Sequence, residues 1–252
     1  SLRPTPMLSF AVRELACIAG VVITASHNPP EYNGYKVYWE DGAQITYPKD
    51  VEIIQEVNAI TDFAAAKTMT KEEAIKEGLL KIIGQEIDDR YIESLKALTI
   101  NPISEEGKKL TIVYTPLHGS GNMPVQRILR ELGFSNVYVV SEQEQPDSNF
   151  STVEYPNPED PKVFTLAKEL ADKVGADIIL ATDPDADRLG VQVKNNKGEY
   201  VLFNGNMTGA LIAEYVFSQK AAKGILPKNS ALIKTIVTGN ISDKIAEHYN
   251  AK

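Results

Sequence analysis

Cysteine is almost absent from this chain: Cys17 is the only one among 252 residues, which closes off an internal disulfide framework. A reducing, cytoplasmic setting is therefore expected. The apolar pattern around Cys17 places it in a helix and in the core. Long hydrophobic runs are missing too, none approaching the roughly 18 residues that span a bilayer. No membrane partner is expected for that reason, and the opening Ser1-Leu-Arg-Pro-Thr-Pro lacks the layout of a signal peptide. Nor is there a surplus of positive charge. With 26 Lys and Arg against 34 Asp and Glu, the net charge is −8, which argues against a nucleic-acid partner. A phosphorylated small molecule stays open, because local cations can hold a phosphate on an acidic protein.

What is present reads as globular, with 43% hydrophobic and 24% charged residues, and the length allows one large domain or two ordinary ones. Periodicity predicts a helix over Pro6–Ala19, with Met7, Leu8, Ala11, Leu15 and Ile18 on one face and Gly20 ending it. A strand from Gly20 to Thr24 follows. Tyr35–Trp39, the turn signal Asp41-Gly42 and Ala43–Thr46 predict a hairpin, and Asp50–Ile60 a helix. The charged, alanine-rich stretch from Thr61 to Ile87 reads as helix and connector, and Asp88–Leu98 as a linking helix.

A second unit alternates strand and helix: Lys109–Tyr114, Val125–Leu132, Asn136–Val140, Lys162–Val174 and Ala176–Ala181. That rhythm predicts a parallel sheet with right-handed crossovers, to which Leu189–Val193 and Glu199–Phe203 add an antiparallel hairpin. The loop from Gln143 to Pro161 carries four prolines and reads as shaped rather than floppy. A helix from Thr208, a strand Ala231–Val237 and a helix Ile241–Tyr249 begin a third unit. The expected class is α/β, in consecutive α/β/α units over residues 1–87, 88–202 and 203–252, with mixed, mainly parallel sheets.

Two loops carry the chemistry. In Val21-Val-Ile-Thr-Ala-Ser26-His27-Asn28-Pro29-Pro30 an apolar strand breaks into a polar loop stiffened by prolines, which can hold a hydroxyl at a sheet mouth. A hydrolase triad does not fit, because adjacent side chains diverge on an extended loop and no Gly-x-Ser-x-Gly elbow surrounds Ser26. A capping or turn serine is one alternative; a serine that carries a phosphoryl group is the other. In Ile178-Ile-Leu-Ala-Thr-Asp183-Pro-Asp185-Ala-Asp187-Arg188 a strand runs into three alternating carboxylates.

An EF-hand counted from Asp183 would need Gly and Glu where Arg188 and Lys194 stand. An aspartyl-phosphate phosphatase would leave the third aspartate, the arginine and Ser26 without a task. A curled loop could gather the carboxylates around Mg²⁺ with positions left for a phosphate oxygen; a solvated acidic turn is the plain alternative. Arg188 could grip a phosphate or merely neutralise the loop. Lys36 reads as an outward strand lysine or a cleft residue, His118 as a cleft residue or a helix cap, and His248 as surface.

Thr24-Ala-Ser-His-Asn-Pro-Pro-Glu-Tyr-Asn-Gly-Tyr-Lys36, Thr115-Pro-Leu-His-Gly and Thr182-Asp-Pro-Asp-Ala-Asp-Arg188, in this order, closely resemble the α-D-phosphohexomutase superfamily. Tyr38-Trp-Glu-Asp-Gly-Ala-Gln44 is similar to its phosphoglucomutase branch, which also holds phosphopentomutase-like members. The resemblance covers essentially the whole chain. It implies a phosphoglucomutase-like fold and an intramolecular phosphotransferase acting on a phosphorylated sugar, glucose first, as a monomer or dimer. Mannose, glucosamine and pentose phosphates are the alternative substrates, and a non-catalytic phosphosugar-binding module is the alternative of another kind.

The resemblance also implies roles. Ser26 is the phosphoserine, and Asp183, Asp185 and Asp187 hold Mg²⁺ with a phosphate oxygen on Ser26. Lys36 is the general acid/base, which requires burial and neighbouring cations to depress its pKa. His27 and Arg188 flank the transfer, while His118 and Lys234 contact substrate. Glucose 1,6-bisphosphate is the implied intermediate and activator. Family members carry four domains, so a fragment is expected, lacking the opening strands of the first domain, the sugar-reading loop of the third and the phosphate-binding fourth.

Overall fold

The computed structural model describes residues 2–252. The first helix, α1 (Thr5–Glu14), buries Met7, Ala11 and Val12. It stops five residues before the predicted end. Ala16 takes a left-handed φ of 50°, its N–H bonds the Arg13 carbonyl, and the Cys17 N–H bonds that of Val12. This pair of bonds closes a helix without glycine. Three expectations are corrected by it: Leu15 and Ile18 are exposed, Cys17 is half-buried outside the helix, and Gly20 does not cap. Gly20 instead lies in β1 (Ala19–Ile23), where a Cβ would stand 2.5 Å from Val12 Cγ2. Its strand therefore lies close against α1.

β1 pairs antiparallel with β2 (Tyr35–Trp39), and Val22 stands opposite Lys36. The Asp41-Gly42 turn forms with Gly42 at φ 75°, but the return is one isolated bridge, Tyr38 to Gln44, rather than a strand. Next come α2 (Lys49–Ala59), a 3₁₀ turn at Phe63–Ala65, and α3 (Lys71–Lys76), which Thr70 and Glu73 start with a capping box. α4 (Gln85–Ala97) starts three residues before the predicted linking helix. Arg3 meets its Asp88 with a two-pronged bond, Nε to Oδ1 at 2.7 Å and the other prong at 2.6 Å. The segment leading into α1 is thereby tied to α4.

After the short α5 (Glu105–Lys108) the second sheet assembles. Its strands are β3 (Thr111–Thr115), β4 (Asn136–Val139), β5 (Ile178–Thr182), β6 (Leu189–Lys194) and β7 (Tyr200–Phe203), in spatial order β4-β3-β5-β6-β7. β4, β3 and β5 run parallel, whereas β6 and β7 run antiparallel. The helices are α6 (Asn122–Glu131), α7 (Ser141–Glu144) and α8 (Thr165–Val174). α8 follows a 3₁₀ turn at Pro161–Phe164, and Gly175 at φ 69° closes it. Val113, Ile179 and Ala181 of the sheet form one core with Phe164, Ala167 and Ala171, all at 0% exposure. Continuous apolar strands are what a sheet buried on both faces requires.

α9 (Gly205–Ala222) starts at Asn204, whose side chain accepts the Met207 N–H at 3.0 Å, and α10 (Ile241–His248) follows. His248 is exposed, as expected. The predicted strand Ala231–Val237 does not form. Ile233, Ile236 and Val237 are 96%, 101% and 82% exposed, and the bonds of this segment run from the Leu232 N–H to Lys252 O and from the Lys252 N–H to Ser230 O. β-branched residues favour strands only where a neighbouring strand lets them pack, and none pairs with them here among the described residues.

Candidate functional site

The chain leaves β3 toward β4 on one side and leaves β5 toward β6 on the other. Ligands of open α/β sheets bind at such divergences, beyond the carboxyl ends of the strands. The two loops that emerge there are Pro116–Gly121 and Asp183–Arg188. They fit together through glycine: a Cβ on Gly119 would stand 2.5 Å from Pro184 Cα and 2.8 Å from the Pro116 and Pro184 carbonyl oxygens. Ser120 donates to Pro184 O from both its N–H and its hydroxyl, each at 2.8 Å. Replacing Gly119 by alanine is thus expected to cost about 1–3 kcal/mol, read from chemical denaturation, because backbone must move to admit the methyl.

The aspartate loop curls as the spacing predicts. Asp183 O accepts the Ala186 N–H at 2.9 Å, and Ala186 turns left-handed at φ 50°. Each of Asp183, Asp185 and Asp187 presents an oxygen within 4.8 Å of the others, and the first two are 0% and 4% exposed. Burial, and then the neighbouring Asp185 and Asp187, push the Asp183 carboxyl up to about 7. Burial is the larger cause of that rise and the neighbouring negative charge the smaller. An all-oxygen, carboxylate-rich set fits a hard divalent cation.

Ser26 comes to this loop from the far end of β1. Its φ of 55° is the left-handed region, and its N–H donates to Thr24 Oγ1 at 2.8 Å. The hydroxyl so placed lies 3.3 Å from Asp183 Oδ2 and 3.4 Å from Asp185 Oδ1. His27 Nδ1 is 3.3 Å from Ser26 Oγ, and its Nε2 is 3.4 Å from an Arg188 guanidinium nitrogen. Arginine can only donate, so Nε2 accepts and Nδ1 carries the proton that faces the serine. Burial, with Arg188 next, lowers the His27 pKa. The expected divergence of serine and histidine is corrected here: the left-handed turn at Ser26 brings the two side chains together.

Lys36 does enter the site. Its ammonium donates to Asp185 Oδ2 at 2.9 Å and to Asp187 Oδ2 at 2.8 Å. Burial works against that charge, but the bonds to Asp187 and Asp185 outweigh it and raise the pKa above the ordinary lysine value. The neighbours are carboxylates and not the cations expected. Lys36 is thus held as a cation between two carboxylates.

His118 and Lys234 have defined partners in the structure. His118 is 6% exposed, and both its ring nitrogens are engaged, Nδ1 with Gln145 O at 2.9 Å and Nε2 with Thr152 Oγ1 at 2.8 Å. The same Thr152 hydroxyl accepts from Gln143 Nε2 at 3.1 Å, and Thr115 donates to Gln143 Oε1 at 2.6 Å. His118 thus pins the proline-rich loop, which explains why so long a loop is shaped. Lys234 pairs with Asp243 of α10 at 2.7 Å, and no hydrogen bond joins it to the serine or the aspartates among the described residues.

Sequence reasoning missed Thr5 and Thr24. Each donates its hydroxyl to Asp185 Oδ2 at 3.2 Å, and the Thr5 N–H, at the start of α1, also bonds Asp185 O at 2.8 Å. Thr24, two residues before the serine, was readable as a side-chain turn; Thr5 had no local signal. Beside Ser26 a cleft of about 480 Å³ opens, lined by Ala25, His118, Ser120, Asp147, Phe150 and Asp185 among others. That volume suits a small ligand.

Known proteins share this arrangement of chain. Family-wide sequence models of phosphoglucomutase/phosphomannomutase match twice, α/β/α domain I over residues 1–64 and α/β/α domain II over 89–198. A phosphoglucomutase of Staphylococcus saprophyticus is 37% identical over 250 residues, 99% of this chain and 44% of that protein. A human phosphopentomutase is 40% identical over 248 residues, 97% of this chain and 40% of that protein. Among solved structures, one from Thermus thermophilus described as a phosphomannomutase superposes with a TM-score of 0.69 at 26% identity. It takes in 97% of this chain and 50% of that one. The chain thus spans less than half the length of these two curated relatives.

Proposed function

The chain belongs to the phosphoglucomutase/phosphomannomutase family, and from that premise we propose that it forms the phosphoryl-transfer part of an enzyme interconverting hexose 1-phosphate and hexose 6-phosphate, with glucose the first candidate. The observation that carries the reading is the Ser26 hydroxyl held within 3.4 Å of two buried carboxylates, Asp183 and Asp185, with the Lys36 ammonium on the other oxygen of Asp185. A hydrolytic serine needs a base; a serine that lends a phosphoryl group needs counter-charge around it.

In this reading Ser26 carries the phosphoryl group. A hydroxyl of the sugar phosphate attacks phosphorus, the bond to Ser26 Oγ breaks, and a bisphosphosugar forms. The attacking hydroxyl gives up its proton and Ser26 Oγ takes one up, so the serine is left as a hydroxyl. After the sugar reorients, its other phosphoryl group returns to Ser26 and the product monophosphate leaves. Asp183, Asp185 and Asp187 would hold Mg²⁺, which when bound supplies charge neutralisation for the phosphoryl oxygens. His27 directs an N–H at Oγ, and Arg188 places positive charge beside it. Lys36 protonates or clamps while Asp185 and Asp187 hold it; it accepts a proton only when their charge is met by another cation. His118 shapes the cleft wall through the loop it anchors. A cytoplasmic setting belongs to the same reading, and no helix among the described residues is long and apolar enough to cross a membrane.

The half-reaction is the direct test. Incubated with glucose 1,6-bisphosphate and Mg²⁺, the chain should gain a phosphate on the peptide that contains Ser26, seen by mass spectrometry. Glucose, mannose and ribose bisphosphates compared at equal concentration rank the sugars. The human relative makes the pentose the second candidate. No adduct with any of them would leave only a phosphosugar-binding module.

A further inference from the structure

We propose that Thr24 is a positioning residue that couples the serine to the aspartate loop, setting the backbone of Ser26 and the orientation of Asp185 through one hydroxyl. This rests on the phosphoryl-transfer reading above and adds a residue to it.

The direction of each bond is forced by chemistry. The Ser26 N–H can only donate, so Thr24 Oγ1 accepts it, at 2.8 Å. The hydroxyl retains one proton, and the buried Asp185 Oδ2 takes it at 3.2 Å. One oxygen atom therefore joins two segments of chain 161 residues apart. Thr24 is itself fixed, since β1 ends just before it and its N–H donates to Gly34 O at 3.0 Å.

Each bond has a consequence for the site. The bond to Ser26 N holds a non-glycine residue at φ 55°, the conformation that turns its hydroxyl toward Asp183 and Asp185. At Asp185 the hydroxyls of Thr24 and Thr5 and the Lys36 ammonium all converge on Oδ2. Oδ1 accepts none of these and faces Ser26 Oγ at 3.4 Å. A carboxylate with one oxygen occupied offers the other, so Thr24 helps decide which oxygen Asp185 presents to a cation. Groups that orient a ligand in this way commonly change metal affinity by about 10- to 100-fold when removed.

The test uses Mn²⁺ alone as the metal probe, titrated calorimetrically into the chain. Thr24→Val is expected to weaken Mn²⁺ binding about tenfold, and Thr24→Ser, which keeps the hydroxyl, to stay within about twofold of wild type. Phosphate uptake by Ser26 in saturating Mn²⁺ gives the second readout. It should remain slow in Thr24→Val, because filling the metal site does not restore the partner of the Ser26 N–H. Unchanged Mn²⁺ affinity in the valine variant, a serine variant as weak as valine, or full recovery of uptake at saturation would each overturn the proposal. Wild-type chain that binds no Mn²⁺ would instead overturn the metal reading beneath it. Should the valine variant fail to fold, Thr24→Ala is read against Thr24→Ser in the same way.

Discussion

Ser26→Ala is expected to lower phosphate uptake from a bisphosphosugar by at least about a thousandfold, because no second hydroxyl can stand in. The nearest candidates are committed elsewhere. Ser120 donates to Pro184 O, and Thr24 spans Ser26 N and Asp185. The stability cost should be small, within about 0.5 kcal/mol, since the serine hydroxyl makes only long contacts at 3.3 and 3.4 Å. That contrast makes the experiment decisive. Denaturation curves that overlay while the phosphorylated peptide disappears support the relay; persistent phosphorylation in the alanine variant ends it.

Asp185→Asn carries the second large effect. The side chain keeps its shape but loses the charge on which Lys36, Thr5 and Thr24 converge. Divalent-ion affinity should fall at least about a hundredfold, as a ligand is lost together with the partners that orient it. The metal-free protein should also lose about 1.5–3 kcal/mol, the usual worth of hydrogen bonds to a charged group. Asp187 still holds Lys36 at 2.8 Å, which keeps the loss from being larger. Calorimetric titration with Mn²⁺ and thermal melting with and without Mg²⁺ read the two effects separately. A Mg²⁺-dependent rise in melting temperature equal to wild type would remove Asp185 from the ligand set.

The residues of the site were more legible in the sequence than their states. Ser26 and Lys36 were singled out by the family resemblance, their local patterns leaving a turn serine and an outward strand lysine open. The spacing of Asp183, Asp185 and Asp187, by contrast, suggested a gathered loop by itself. The pKa of Lys36 was not readable, because it depends on carboxylates 149 and 151 residues away that only the fold brings near. The contact of His27 with Ser26 was missed for the opposite reason, a purely local one. A left-handed residue reverses the usual divergence of neighbours, and nothing in Ser-His-Asn-Pro announces it.

Among the elements, the buried strands β3 and β5 were clear from their unbroken apolar runs. The end of α1 was misplaced because Ala16, not a glycine, adopts the turn. Ala231–Val237 failed for want of a partner. Its residues carry strand propensity, but a strand is a property of a pair.

The separations in sequence across the serine and aspartate loops bear on how the protein acquires its chemistry. The bonds that join them connect residues 149 to 180 positions apart, whereas α8 and the hairpin of β6 and β7 close over short stretches of chain. Distant contacts carry the larger loop-closure entropy and form late. During synthesis the serine emerges long before any carboxylate that will face it. A chain caught midway would hold a folded-looking hairpin whose serine has no carboxylate facing it. The candidate site is complete only when the aspartate loop docks, so its assembly reports that two distant stretches of chain have folded against each other.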